Sequence, residues 1–196
     1  MPWSLQILDR YEKVDVVGCS FTKTLSSNSA LLDGLTVRGE FAHLNNNKIN
    51  YGRDMDIRGV VNTNDYNYCL AMDKYLWIKW LFSFQFIQYI TDPRSTYGED
   101  TGNVLLFGPT RGPWDKIETL MTLKVSTHFM HQRLRPEVLV IYGDDNDWRI
   151  SPKIAYDITD SLKFILGGHI FSGETAQLNG QFNDRDIVFT EINYGF

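Results

Sequence analysis

The chain has 196 residues, of which 14% are aromatic, and a formal net charge of −5. It contains no apolar run of about 18 residues, which excludes a transmembrane helix. It also has no basic patch interleaved with aromatic residues, which argues against a nucleic-acid partner. Many aromatic residues with a modest mean hydropathy suit strands with one apolar and one polar face, although a soluble β-sandwich has the same average.

Apolar and polar residues alternate with period two along most of the chain, which predicts about nine β-strands. In the clearest strand, Trp148, Ile150 and Ile154 alternate with Arg149 and Lys153. The strand at the N-terminal end is weaker, with an apolar face of Val17, Cys19 and Phe21. In chain order, the predicted strands cover residues 14–25, 35–41, 66–72, 78–86, 117–129, 134–142, 148–158, 162–170 and 187–196.

The connections between these strands alternate in length. With the C-terminus on the periplasmic side, the short turns fall at the periplasmic end and the long loops at the external end, as is typical of bacterial outer-membrane barrels. Segment 143–147 is the exception, a short external turn. The short turns are 26–33, 74–77, 130–132 and 159–161, and the long loops are 45–64, 91–114 and 172–185.

The last ten residues indicate what surrounds the strands. Counting back from Phe196 and Tyr194, every second residue is one that lipid accepts. The last strand of an outer-membrane barrel closes the sheet, and aromatic residues lie at the headgroup level. The predicted strands are about ten to twelve residues long. That length is close to the roughly 9–11 that a tilted membrane strand needs and exceeds the globular mode of about five to six.

The predicted fold class is therefore all-β, a transmembrane antiparallel up-and-down β-barrel of about 8–10 strands. Residues 1–196 form this single domain or the C-terminal portion of a larger barrel. About nine antiparallel strands do not close evenly, because bacterial single-chain barrels have even strand counts. Three solutions stay open: residues 2–9 supply a tenth strand, a second chain completes the wall, or the reading frame is truncated.

The two predicted faces have different roles. The interior charges are mixed in sign but lean basic, and Arg133, Arg135 and Glu137 are expected to form a network there. Such a lining biases a pore toward anionic solutes, whereas salt-bridged side chains that fill a small barrel conduct nothing. The predicted lumen-lining residues are Arg38, Glu40, Lys79, Lys124, His128, Arg133, Arg135, Glu137, Arg149, Lys153, Lys163, His169 and Glu191. The predicted lipid-facing or girdle residues are Trp80, Phe82, Phe84, Tyr142, Trp148, Tyr156, Phe164, Tyr194 and Phe196.

Several stretches carry a resemblance to a known family: LTVRGEF at 35–41, RPEVLVIY at 135–142, WRISPKIAYD at 148–157, LGGHIFSG at 166–173 and GQF at 180–182. In pattern and order, the region from about residue 34 to 196 resembles an uncharacterised family of Gram-negative outer-membrane β-barrel proteins. That family is a domain of unknown function often found alongside RND-type envelope transporters. The resemblance implies the C-terminal part of a longer barrel in an envelope transport system, and it implies no catalytic residues.

No catalytic or metal site is predicted. Ser126 and His128 lie two residues apart on one strand face, about 7 Å from each other, which is too far for a nucleophile and its base. The acidic turn 144–147, with Glu174 or Asp184, offers oxygen ligands for Ca²⁺ but lacks EF-hand spacing, so a solvated turn is the favoured interpretation. The glycine-containing segment 98–102 has no phosphate-loop lysine.

Cys19 and Cys69 fall on strands that are not neighbours in sequence, which predicts two lone thiols. The opening Met1-Pro2-Trp3 does not have the pattern of a signal peptide. For an outer-membrane protein, this predicts a missing leader or a C-terminal part of a longer chain.

These patterns predict a non-enzymatic protein of the bacterial outer membrane that mediates passage of a solute or lipid-like compound. It needs no cofactor, and its expected partners are outer-membrane lipid and another chain or an envelope transport complex. Two alternatives stay open: a scaffolding barrel with a filled lumen whose loops bind partners, and a soluble lipocalin-like carrier of an apolar ligand. The face on which the apolar residues lie discriminates among them.

Overall fold

The computed structural model describes residues 13–53, 56–93, 104–105, 117–144, 146–175 and 177–195. Within them the chain forms β-strands and one short 3₁₀ turn, Gly180–Phe182. No helix of this described part is long and apolar enough to cross a membrane. The strands are β1 (Asp15–Thr24), β2 (Thr36–Arg53), β3 (Asp56–Leu76), β4 (Trp80–Pro93), β5 (Val104–Leu105), β6 (Ile117–Ser126), β7 (Leu134–Gly143), β8 (Asp147–Asp157), β9 (Leu162–Ser172) and β10 (Ile187–Tyr194).

All strands belong to one antiparallel sheet with up-and-down topology. The order is β1-β2-β3-β4-β6-β7-β8-β9-β10, and the two-residue strand β5 pairs with β2. The prediction of an all-β antiparallel up-and-down sheet of about nine strands is therefore confirmed. Among the described residues β1 and β10 are the two ends of the sheet, and each pairs on one side only. Because nine strands alternate in direction along this path, β1 and β10 run the same way.

The hairpin of β2 and β3 corrects one predicted connection. Residues 45–64 are not a long loop, because the two strands continue to pair as far as Arg53 and Asp56. Asn46, with φ of 61°, is the extra residue of a bulge, after which the ladder resumes. Ile49 pairs with Val61, and both are buried. The asparagine-rich sequence does not predict this extension, because the hydrogen bonds of the ladder join backbone groups and do not depend on the side chains.

Two predicted strand ends are also corrected. Strand β4 begins at Trp80 and not at residue 78, because Trp77 and Ile78 have positive φ values of 47° and 69° and belong to the turn. Strand β6 ends at Ser126, and Phe129 forms only an isolated bridge with Leu134. In both cases the apolar alternation continues past the point where the backbone turns.

The short turns hold the sheet at one end. The predicted turn at 159–161 is confirmed: the Ile158 N–H donates to the Leu162 carbonyl oxygen at 2.9 Å, and the Leu162 N–H donates to the Thr159 hydroxyl at 3.0 Å. In the first turn, the N–H of Gly34 donates to the carbonyl oxygen of Leu25 at 2.8 Å. Gly34 has φ of 70°, a conformation that glycine adopts without a steric penalty.

Little of the described sheet is a packed interior. Its buried apolar residues are Ile49, Val61, Ala71 and Ala155. All ten residues of β1 are exposed, and of the eight residues of β10 seven are exposed and one is half-buried. The described part is thus a single layer with two accessible faces.

Candidate functional site

The register of the sheet joins the apolar residues of separate strands into one face. Residues directly opposite each other on neighbouring strands point to the same side. Leu123 of β6 lies opposite Phe84 of β4 and Val140 of β7. Val140 lies opposite Ile150, which in turn lies opposite Ile170. Opposite residues continue to share this side as far as β1 and β10. The resulting surface, which we call the apolar face, crosses all nine strands of the path.

The predicted girdle residues within the described part lie on this apolar face: Trp80, Phe82, Phe84, Tyr142, Trp148, Tyr156, Phe164 and Tyr194. Phe196 lies outside the described residues. Tyr142 and Trp148 contact each other with ring centroids 4.6 Å apart, and Trp80 meets Phe129 edge to face at 6.5 Å. That these rings contact lipid stays a prediction.

The apolar face is uncovered. Val188 and Ile192 on β10 are 81% and 72% exposed, and Leu123 in the middle of the sheet is 42% exposed. Exposed apolar areas of more than a few hundred Å² are rare on monomeric soluble proteins and mark a binding or membrane surface. This face therefore needs an apolar environment that the described residues do not supply.

The opposite side, which we call the polar face, carries ten of the predicted lumen-lining residues. They are Arg38, Glu40, Lys124, Arg135, Glu137, Arg149, Lys153, Lys163, His169 and Glu191. The other three, Lys79, His128 and Arg133, lie in the short turns or beside the ends of the strands. The period-two pattern thus assigned these strand residues to one common side, and whether that side lines a lumen stays a prediction.

Ion pairs connect neighbouring strands on the polar face. Glu137 of β7 lies between two lysines, with its carboxylate oxygens 2.7 Å from Lys124 Nζ on β6 and 3.0 Å from Lys153 Nζ on β8. The three residues form a row across three strands. Because these side chains are partly exposed, each pair stabilises the sheet modestly, by about 1 kcal/mol or less.

A second network lies nearer the short turns. The Arg135 guanidinium contacts both carboxylate oxygens of Asp157, each at 2.7 Å, and Lys163 Nζ is 4.0 Å from the same carboxylate. Farther along the sheet, Arg38 pairs with Asp73 at 2.6 Å. Arg135 and Glu137 therefore belong to separate networks. Both lie on β7, but each pairs with different residues of the neighbouring strands. Arg133 forms no ion pair in the described part, although its charge interacts with the Asp157 carboxylate of the second network.

Carboxylates that the sequence analysis did not count also lie on the polar face. Asp73 and Asp157 are the partners of Arg38 and Arg135, and three further acidic residues, Asp65, Glu118 and Asp147, are buried near the long-loop end. The face is therefore not predominantly basic, which corrects the expectation. The alternation of β3 and β8 contains Asp73 and Asp157 in phase with the polar positions, so this signal was available in the sequence.

Within the described ion pairs of the polar face, the cations are more exposed than the carboxylates. In the five described ion pairs, the cationic side chains are 38–44% exposed and their carboxylate partners 23–26%. The carboxylates lie nearer the backbone, and the longer cations extend beyond them. A solute that approaches one of these pairs therefore meets its ammonium or guanidinium group first, whereas Glu40 and Glu191 are exposed carboxylates elsewhere on the face.

A cavity of about 280 Å³ opens on the polar face near the short turns. Lys79 and Tyr75 line it from the β3–β4 hairpin, His128 from the end of β6, Arg135 from β7 and Lys153 from β8. A neighbouring cavity of about 400 Å³ shares Lys79 and His128. We call the first of these the basic cavity.

One serine–histidine contact was missed by the sequence analysis. His169 Nδ1 lies 2.9 Å from Ser151 Oγ across β8 and β9, whereas no described hydrogen bond joins Ser126 and His128. A nucleophilic serine needs a base that a third group orients. Around His169 the described ring contacts are with Phe171 and Phe189, and in the described part no carboxylate hydrogen-bonds to its ring. Only the strand register could have brought Ser151 and His169 together.

The acidic turn before β8 acts as a hydrogen-bond acceptor. Asp144 Oδ2 accepts from the Thr119 N–H at 2.5 Å. The buried Asp147 carboxylate accepts from the backbone N–H groups of Asn179 and Gly180 and from the Asn179 side-chain amide, at 2.7–3.1 Å. Among the described residues no group of three or more His, Cys, Asp or Glu is placed to hold a metal ion. Asp145 lies outside them.

Cys19 and Cys69 are free thiols, as predicted, and they lie on opposite sides of the sheet. Cys19 of β1 pairs with Phe41 on the apolar face, and Cys69 of β3 pairs with Glu40 on the polar face. The chain therefore contains one natural chemical reporter on each face.

No protein-family model matches this chain, and neither a curated protein nor a solved structure matches it. The resemblance to the outer-membrane barrel family stays a prediction.

Proposed function

We propose that this sheet is the wall of a bacterial outer-membrane β-barrel whose polar face lines an aqueous passage for a solute. The observation that carries the proposal is the contrast between the two faces across nine strands. One face is a continuous, uncovered apolar surface, and the other holds networks of charged residues such as Lys124, Glu137 and Lys153. A transmembrane barrel has an apolar exterior and a polar interior.

Energetics favour a lipid environment for the apolar face. The transfer of an exposed Val, Leu, Ile or Phe side chain from water to an apolar medium is favourable by about 1.5–3 kcal/mol when the side chain becomes fully buried. More than a dozen such side chains on this face are exposed. In a lipocalin-like carrier they would be enclosed around a ligand, and ion-paired residues would form the outer surface. That arrangement is the less favoured one, because the described part has no second layer or lid over the apolar face.

Strand lengths are in keeping with this proposal. β6 and β7 have 10 residues each, and β8 and β9 have 11. A tilted membrane strand needs about 9–11 residues. β3 has 21 residues, about 70 Å of extended chain. In the proposed orientation, the far part of the β2–β3 hairpin extends beyond the bilayer at the end opposite the short turns.

Closure of the proposed barrel requires further strands. β1 and β10 run in the same direction, whereas bacterial single-chain barrels have even numbers of antiparallel strands. Under the proposal, an odd number of additional strands completes the wall between β1 and β10. They come from another part of the polypeptide or from a second chain, which is the partner we propose together with the surrounding lipid.

The two native cysteines test which face meets water. In lipid vesicles, we expect a charged, water-soluble methanethiosulfonate reagent to label Cys69 on the polar face and to leave Cys19 unlabelled. Single variants Cys19→Ser and Cys69→Ser assign the signal by mass spectrometry, and unfolding in denaturant gives the full reactivity of each thiol. Labelling of Cys19 at its unfolded rate in vesicles would refute the lipid contact.

A filled scaffold is the second candidate, because the ion-pair networks on the polar face are what a side-chain plug would contain. Single-channel recording in a planar bilayer separates it from a passage. For a passage, we expect stable open steps whose anion preference decreases in the double variant Lys124→Glu/Lys153→Glu, since two cations on the lining become anions. A protein that inserts but does not conduct would favour the scaffold.

A further inference from the structure

The basic cavity has an excess of positive charge that the surrounding carboxylates do not neutralise. Glu137 is already shared between Lys124 and Lys153, and Arg135 is bound to both oxygens of Asp157. Lys79 and His128, which line the same cavity, have no hydrogen-bond or ion-pair partner among the described residues. Lys79 therefore contributes an uncompensated ammonium group.

The cavity also has neutral hydrogen-bonding groups next to these cations. Ser126 and Thr127 line it beside His128. Thr127 is 6% exposed, and its hydroxyl has no hydrogen-bond partner in the described structure. A buried hydroxyl without a partner is uncommon in folded proteins and needs an explanation, such as a bound group. A ligand that enters beside Lys79 would bring acceptor oxygens to this corner.

We propose that the basic cavity binds a small free oxyanion, a solute that carries a phosphate or carboxylate group. Ammonium and imidazole donors with adjacent hydroxyls suit such an anion, since charge-assisted hydrogen bonds to oxyanions are shorter and stronger than neutral ones. A cation would meet Lys79, Lys153 and Arg135 at close range. An apolar ligand would leave these donors without acceptors, which is costly.

The proposed anion binding adds a solute class to the proposed function. It rests on that function in one respect, namely that the cavity is reached from water. The cavity lies near the short turns, where β3, β4, β6, β7 and β8 come together. A solute that moves along the polar face would meet Lys79 and His128 at the end of its path or at the beginning. The proposed solute class is therefore anionic.

Isothermal titration of the detergent-solubilised protein with inorganic phosphate tests the proposal. We expect saturable binding that becomes at least about tenfold weaker in the double variant Lys79→Gln/His128→Gln, because charged hydrogen bonds to the anion are lost. The control is Arg149→Gln, which removes a cation from the same face outside the cavity and away from the Arg135–Asp157 pair, and it should leave binding unchanged. Circular dichroism establishes that all variants keep their strand content.

Three results would overturn the inference. They are the absence of saturable phosphate binding, an equal loss in Arg149→Gln, and binding of dioctanoyl phosphatidic acid without binding of inorganic phosphate. The last result would assign the cavity to a lipid headgroup and not to a free solute. Titration in micelles requires no passage across a membrane, so failure of the proposed function in the cysteine or conductance experiment is distinguishable from failure here.

Discussion

An arginine at position 123 is expected to destabilise the membrane-inserted protein by about 2–4 kcal/mol, whereas an arginine at position 122 is expected to be tolerated. Leu123 and Thr122 are neighbours on β6, and their side chains point to opposite faces. Leu123 lies opposite Phe84 and Val140 in the middle of the apolar face. Under the proposed function, Leu123→Arg places a charge against hydrocarbon, while Thr122→Arg adds one to a wet, charged surface.

Denaturant unfolding from lipid vesicles, followed by tryptophan fluorescence, measures this difference. A third variant, Ile170→Arg, places the charge on the same face near the end of β9. The cost of a charge on a lipid-facing surface decreases toward the interface to about 0–1 kcal/mol, so we expect Ile170→Arg to cost less than Leu123→Arg. This dependence on depth is specific to a bilayer, and a packed soluble core does not produce it.

Equal tolerance of Leu123→Arg and Thr122→Arg would contradict the proposal. A surface substitution in water usually changes stability by no more than about 0.5 kcal/mol. Leu123 is 42% exposed in the structure, and such a small effect is what a sheet with both faces in water would give.

Replacement of Asp147 by alanine is expected to release the connection between β9 and β10 from the sheet. Asp147 is 2% exposed, and its carboxylate accepts hydrogen bonds from three donors on Asn179 and Gly180. An unsatisfied buried donor costs about 1–3 kcal/mol. Since water can enter part of the vacated space, we expect Asp147→Ala to destabilise this segment by about 3 kcal/mol in total.

Hydrogen exchange detects this release at the amides of Asn179 and Gly180, and limited proteolysis detects it along residues 173–186. Asp160→Ala is the matched control, since it removes an exposed aspartate from the turn at the other end of the sheet. Unchanged exchange in Asp147→Ala would show that other contacts hold the segment. Gly180→Ala should act in the same direction, because a Cβ there would lie 2.0 Å from the Glu174 carbonyl oxygen.

The alternation of apolar and polar residues with period two was sufficient to predict the strands and the face of the sheet to which each strand residue belongs. Ile150 and Ile154 share a face with each other and not with Lys153, because successive side chains of an extended chain point to opposite sides. This rule depends only on local backbone geometry. It failed where polar residues form a ladder, as at Asn45–Asn47 in β2, and where an apolar residue lies in a turn, as Ile78 does.

The partners on each face depend on the register and on long-range contacts. Glu137 meets Lys124 and Lys153, and Ser151 meets His169, because turn geometry aligns their strands. Local alternation is compatible with several registers and therefore cannot specify these pairs.

The sequence by itself determined the existence of an apolar and a polar face, since alternation is a property of each strand alone. Only the tertiary structure decided which charges neutralise each other and which, such as Lys79, remain available. It also decided that Asp147 is a buried acceptor for Asn179, 32 residues away, and not a solvated turn residue. These features are decided by contacts between distant segments, and such contacts form only when the whole sheet is assembled.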